Sequence, residues 1–229
     1  MFAIPAALTW RVDGDAIPYI VASAVLELTS FALLAAVYSR ADLSFAYPIA
    51  RGSAPVLVLL ISVIALNAPV SVAGAVGVLA VTGGVLLVRG VGTQAVDTLS
   101  LVLALGVGAC IAGYTLVDDH GVQHAAAIPY IEIVLILCGI PYALAVGKDK
   151  VRAAVDRRAL AAGVGMGSAY LLVLAALERA EAAPVAALRE TSVVMAAAGA
   201  AIAGREKVPA KRLGGAVLVV AGIAAIALG

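Results

Sequence analysis

The sequence predicts an all-α polytopic membrane protein of about eight transmembrane helices. Three observations lead there. Of the 229 residues, 64% are hydrophobic and 13% charged, where globular domains carry about 25% charged residues, and the mean hydropathy is +1.11. The apolar residues fall in blocks of about twenty, the length that crosses a ~30 Å hydrocarbon core at 1.5 Å per residue. The blocks are separated by short segments rich in turn formers and charge.

In chain order, Met1 to Arg11, with Pro5 and Trp10, read as the last turns of an apolar helix that lacks its beginning. They are too short to span, and without a basic leader or a small-residue cleavage site they do not read as a signal peptide. Spans follow at 17–39, 44–66, 71–89, 98–117, 127–147, 157–178, 183–203 and 210–228. Their separators are Arg40-Ala41-Asp42, Asn67-Ala68-Pro69, Arg89 to Asp97, Asp118 to His124, Lys148 to Arg158 and Gly204 to Arg212. Gly121, between His120 and His124, marks a turn, which argues against a metal site on that imidazole pair.

Cys110 and Cys138 lie in apolar spans and are expected to be reduced. No basic-aromatic patch suggests nucleic acid. The phosphate-loop, HExxH and GxSxG patterns are missing from the sequence, so it offers no enzyme motif, cofactor or metal. Gly163-Val164-Gly165-Met166-Gly167 and the Ala196, Ala200, Gly204 series are expected to be helix-packing surfaces.

An internal repeat emerges when the charged spans are aligned. Tyr47-Pro48-Ile49-Ala50-Arg51-Gly52-Ser53 matches Val185-Ala186-Ala187-Leu188-Arg189-Glu190-Thr191 at an offset of 189 − 51 = 138. Arg40-Ala41-Asp42 matches Arg179-Ala180-Glu181, and Val78-Leu79 with Gly83 matches Val217-Leu218 with Gly222, at an offset of 139. The second copy, 93–229, has five helices, and the first, 1–92, a stub plus three. Five crossings per unit make the two copies enter from opposite sides, an inverted repeat with its substrate site near the midplane.

The runs from Arg40 to Gly52 and from Ala183 to Val194, with Gly204-Arg205-Glu206 before a glycine-rich last span, resemble the two halves of an EamA-type protein of the drug/metabolite transporter superfamily. The resemblance covers nearly the whole chain from about Trp10. It implies a plan of five plus five helices and export of amino acids or other small metabolites. Against that plan the first helix and most of the second are absent. Ala68 stands where the family usually has the glutamate that Glu206 supplies in the second half.

The binding candidates are the polar residues inside spans. Charge there costs roughly 2.5–3.5 kcal/mol on insertion scales and usually faces a bundle interior. Arg51 and Arg189 are either structural, bonding carbonyls opened by Pro48, Pro55 or Pro184, or anion sites that grip a carboxylate bidentately. Glu190 points about 100° away from Arg189 on a helix, so the two are not expected to pair. Glu27, the deepest acid, is a proton-coupling or amine-binding carboxylate, or else a neutral acid or a partner of an arginine. Glu132, one turn into its span, is a weaker candidate. Tyr47, Tyr114, Tyr130 and Tyr170 are candidates to line a pocket, although such rings more often form interfacial belts, as Tyr19, Tyr38 and Tyr142 near span ends are expected to do.

The expectation is a secondary transporter, exporting a small polar metabolite such as an amino acid or organic anion by alternating access, in a bacterial cytoplasmic membrane. Its partners would be that substrate, protons and the lipid bilayer, with no nucleic acid. The alternative is a truncated or helper membrane protein without transport of its own, or a homodimer that completes the missing wall. Of 13 Lys and Arg outside the spans, 11 fall on the side of Arg40 and Lys148, which the positive-inside rule places in the cytoplasm with both termini outside. The family usually has both termini inside.

Overall fold

A computed structural model of the chain describes residues 10–40, 43–67, 69–89, 97–192, 195 and 210–228; among these, the side chains of 43–48, 88–89, 210–213 and 227–228 are outside the description. The described residues form nine α-helices: α1 (Ile17–Tyr38), α2 (Leu43–Ile64), α3 (Val72–Arg89), α4 (Thr98–Gly121), α5 (Ala127–Val146), α6 (Lys148–Ala154), α7 (Arg157–Leu177), α8 (Ala182–Arg189) and α9 (Ala210–Leu228). A short 3₁₀ turn, Gly14–Ala16, leads into α1. Helices α1, α4, α5 and α7 are long and apolar enough to cross a membrane. Shorter apolar stretches, Ile49–Ile64, Val72–Leu87 and Gly214–Ile226, lie in α2, α3 and α9. The fold is that of an all-α polytopic membrane protein.

Three separators or spans differ from expectation. Helix α4 runs through Asp118, Asp119 and His120 to Gly121 where a turn was expected, and Val122 N still donates to Asp118 O at 2.9 Å. A Cβ at 121 would sit 2.5 Å from Tyr130 Cε2, so any larger residue there would have to displace the ring. The position reports close packing of a ring on a helix, not a break. Within Lys148 to Arg158, α6 is helical, and Asp156 then caps α7 by accepting from Ala159 N at 2.6 Å. The span expected to be continuous over 183–203 ends its helix at Arg189. Glu190 forms a turn with its N–H on Ala187 O, and helix resumes at Thr191 and Ser192. Beyond that, the expected Ala196, Ala200, Gly204 surface and Glu206 lie outside the described residues, as does Ala68.

The chain divides into two compact units. One comprises Met1–Leu28 and Tyr114–Glu181. An antiparallel bridge of Val12 with Ala125, flanked by Asp13 N to His124 O (3.0 Å) and Ala126 N to Arg11 O (2.8 Å), ties the entry of α1 to the exit of α4. Helix α5 starts without a side-chain N-cap, but Glu178 accepts from Ala127 N at 3.2 Å and supplies the missing acceptor. Tyr130, Ile131, Val134, Leu174 and Leu177 form its packed interior. On the Gly163 to Gly167 face, where packing was expected, a Cβ at Gly163 or Gly165 would meet nothing within 4 Å among the described residues.

The other unit comprises Thr29–Gly113 and Ala182–Gly229. Close glycine packing occurs here, between α3 and α9. A Cβ on Gly77 would lie 2.6 Å from Gly222 O, one on Gly222 would lie 2.6 Å from Gly77 O, and one on Gly84 would lie 2.7 Å from Gly215 O. As α3 is followed forward from 77 to 84, its contacts on α9 move backward from Gly222 and Ile226 to Gly215 and Val219, so the helices are antiparallel. Without side chains on these faces the backbones touch, and van der Waals contact replaces the hydrophobic drive that lipid cannot supply. Gly52, against Leu86, seats α2 on α3.

Candidate functional site

Among the described residues, each unit holds a buried group of charged and polar side chains. In the first, α4 carries Tyr114 and Asp118 one helical turn apart, and α1 carries Ser23 and Glu27 with the same spacing, so each pair shares a face. Asp118 is 1% exposed. Its Oδ2 accepts from the Tyr170 hydroxyl at 2.6 Å and its Oδ1 from the Tyr130 hydroxyl at 2.9 Å. Hydrogen bonds to a charged group contribute about 1.5–3 kcal/mol each, which offsets the cost of burying the carboxylate. Because Tyr170 gives its proton to Asp118, Ser23 Oγ, 3.5 Å away, serves as donor to the Tyr170 oxygen.

The rings of Tyr114 and Tyr170 lie 6.2 Å apart and tilted by 55°. Four residues beyond Ser23, Glu27 accepts from Cys138 Sγ at 3.4 Å and is 9% exposed. The assembly therefore alternates carboxylates with groups that both give and take protons.

In the second unit, Arg51 Nε on α2 lies 3.7 Å from Glu190 Oε1, and both side chains are largely buried. The local sequence sets this up from both sides. Pro55 has no N–H for the Arg51 carbonyl four residues earlier, which opens the backbone there. Glu190 sits on the turn that ends α8, with Thr191 Oγ1 closing the last turn onto Leu188 O at 2.8 Å. A cation and an anion presented at a helix interruption suit a ligand that carries charge itself.

Of the residues expected from sequence, Tyr114, Tyr170 and Glu27 thus fall in the first group, and Arg51 and Glu190 in the second. Arg189 ends α8, half-buried, next to Glu190. Glu132 is half-buried on α5 and makes no hydrogen bond or ion pair among the described residues. Tyr47 lies on α2 with its side chain outside the described residues. Tyr19, expected in an interfacial belt, stacks on His124 (5.8 Å between centroids, 6° between planes) and on His120 (6.2 Å, 19°). Asp118, Ser23 and Cys138 were missed. The four-residue spacing from Tyr114 to Asp118 carries the signal, and it was hidden by reading Gly121 as a turn.

Comparison with known proteins gives three findings. Residues 98–228 match the model of the EamA-like transporter family. No curated protein matches the chain. A solved structure, described only as "Crystal structure of protein", superposes with a TM-score of 0.74 at 15% identity, covering 94% of this chain and 79% of that one. At that identity the likeness speaks to fold alone.

Proposed function

Because the chain belongs to the EamA-like transporter family, we propose that it is a secondary transporter exporting a small polar metabolite, such as an amino acid or an organic anion. It works by alternating access between two inverted repeats, 1–92 and 93–229, in a bacterial cytoplasmic membrane. The observation that carries this reading is the Arg51–Glu190 pair at the break after α8. Each buried ion costs several kcal/mol of desolvation, which good geometry must offset. Interrupted helices at membrane depth are where transporters bind their substrates.

The α3–α9 crossing supports the inverted repeat. A two-fold axis in the membrane plane turns a helix antiparallel to its mate, and where the mates cross, each residue faces its own counterpart. The contacts are centred midway between 77 and 84 on α3 and between 215 and 226 on α9, so the centres differ by 220.5 − 80.5 = 140. The sequence repeat has an offset of 139 at Val78 and Val217.

The test is a flux screen in proteoliposomes containing the full chain, across amino acids and organic anions, with and without a pH gradient. Saturable flux of at least one compound is expected, lost in Arg51→Ala and Arg189→Ala proteins that remain folded. If folded wild-type protein moves none of them above empty liposomes, the transporter reading is wrong.

A further inference from the structure

We propose that the first unit contains a proton path from the membrane boundary to Glu27, running through Asp118, the Tyr170 hydroxyl and Ser23. The proposal rests on the transporter reading only in giving Glu27 the role of ion site; the path itself is argued from geometry within one unit.

Its two ends lie at different depths. Asp118 is three residues before the end of α4 at Gly121, about 4.5 Å along the helix, and Glu27 is ten residues past the start of α1 at Ile17, about 15 Å along it. The bridge of Val12 with Ala125 places those two helix ends together, so both distances are counted from one boundary. Between them, Asp118 Oδ2 meets the Tyr170 hydroxyl at 2.6 Å, and that hydroxyl meets Ser23 Oγ at 3.5 Å. Ser23 precedes Glu27 by four residues on one face of α1, with Cβ atoms about 5–6 Å apart. Among the described residues, titratable groups facing the path include Tyr130 on Asp118, Cys138 on Glu27 and Tyr114 beside the Tyr170 ring.

The transfer balances without any added reactant. A proton from the boundary converts the Asp118 carboxylate to the acid. Asp118 then passes a proton to the Tyr170 oxygen while Tyr170 gives its own to Ser23 Oγ, and Ser23 gives its own to the Glu27 carboxylate. The hydroxyls rotate before the transfer, Tyr170 O–H turning from Asp118 to Ser23 and Ser23 O–H from Tyr170 to Glu27, and the transfer itself returns them to the arrangement observed. One proton has moved from Asp118 to Glu27, and neither hydroxyl changes charge. Hydroxyls serve in the middle because each is both donor and acceptor.

Time-resolved infrared spectroscopy of the full chain in lipid, after a pH drop on the side facing the end of α4, tests the path without any substrate. The expected result is a carboxylic-acid C=O band assigned to Glu27 by its loss in Glu27→Gln. Its rate of appearance should fall at least tenfold in Tyr170→Phe and in Ser23→Ala, with its final amplitude unchanged. Phenylalanine keeps the ring packed on Tyr114, so a role of Tyr170 in ring packing alone would leave the rate unchanged. A Glu27 band that appears at the wild-type rate in both variants, or no Glu27 band at any pH, overturns the proposal. A negative flux screen beside a slowed band would refute transport and leave the path standing.

Discussion

Arg51 and Glu190 lie 3.7 Å apart in space and 190 − 51 = 139 positions apart in sequence. That is the offset at which Val78-Leu79 and Val217-Leu218 repeat. In a pair of halves related by a two-fold axis, a residue that touches its own counterpart sits on the axis. The alignment of the charged spans by their arginines, at 138, put Arg51 opposite Arg189. Contact in space puts it opposite Glu190.

Removing one member of this pair takes a nearby counter-charge away from a buried ion. Arg51→Ala is expected to lower stability by about 3–5 kcal/mol, read as thermal unfolding in detergent. The double variant Arg51→Leu/Glu190→Leu should recover most of that loss and yet remain without flux. Recovery of flux as well would make the pair a structural element.

Glycine substitutions separate touching backbones from open faces. Gly77→Ala places a methyl 2.6 Å from the Gly222 carbonyl, and a loss of about 1–3 kcal/mol is expected from the forced separation of α3 and α9. Gly163→Ala meets nothing within 4 Å and is expected to stabilise α7 by about 0.5–1 kcal/mol. Equal effects at the two positions in thermal unfolding would contradict the packing described.

Gly121 and Tyr130 are predicted to be coupled. Gly121→Ala pushes the Tyr130 ring away, and Tyr130→Phe deletes the hydroxyl that donates to Asp118. Each is expected to cost about 1–3 kcal/mol. The double variant should cost less than the sum by at least about 0.5 kcal/mol, as residues in contact do. Additive losses in a double-mutant cycle would show that the ring and the helix act independently.

Asp97 gives the start of α4 a pH dependence. Its Oδ1 accepts from Ser100 N at 2.5 Å, and that backbone bond, followed by the Ser100 side chain and the charge of Arg40, holds its carboxyl below the usual carboxylate range. A group whose pKa falls on folding stabilises the fold above its unfolded pKa and loses that contribution as pH falls through the folded value. The stability gap between wild type and Asp97→Ala is therefore expected to be full near pH ~7 and to close by pH ~2. A gap that is the same at both pH values would mean that the charge of Asp97 plays no part.

The sequence by itself determined the class of this protein, the approximate places of most of its apolar helices, and Glu27 and Glu190 among the polar residues buried within them. These are readable because crossing a bilayer is a local demand: about twenty apolar residues suffice, and any charge among them stands out. The tertiary structure alone decided the partners. Asp118 finds Tyr170 52 residues away (170 − 118), Glu27 finds Cys138 at 111 (138 − 27), and Arg51 finds Glu190 at 139. No local pattern encodes those distances. It also decided the meaning of glycine. Gly121 lies in a helix with an aromatic ring against it, Gly77 and Gly222 join two helices, and Gly163 joins none among the described residues. A missing side chain makes room, and only the neighbouring helices determine whether anything fills it.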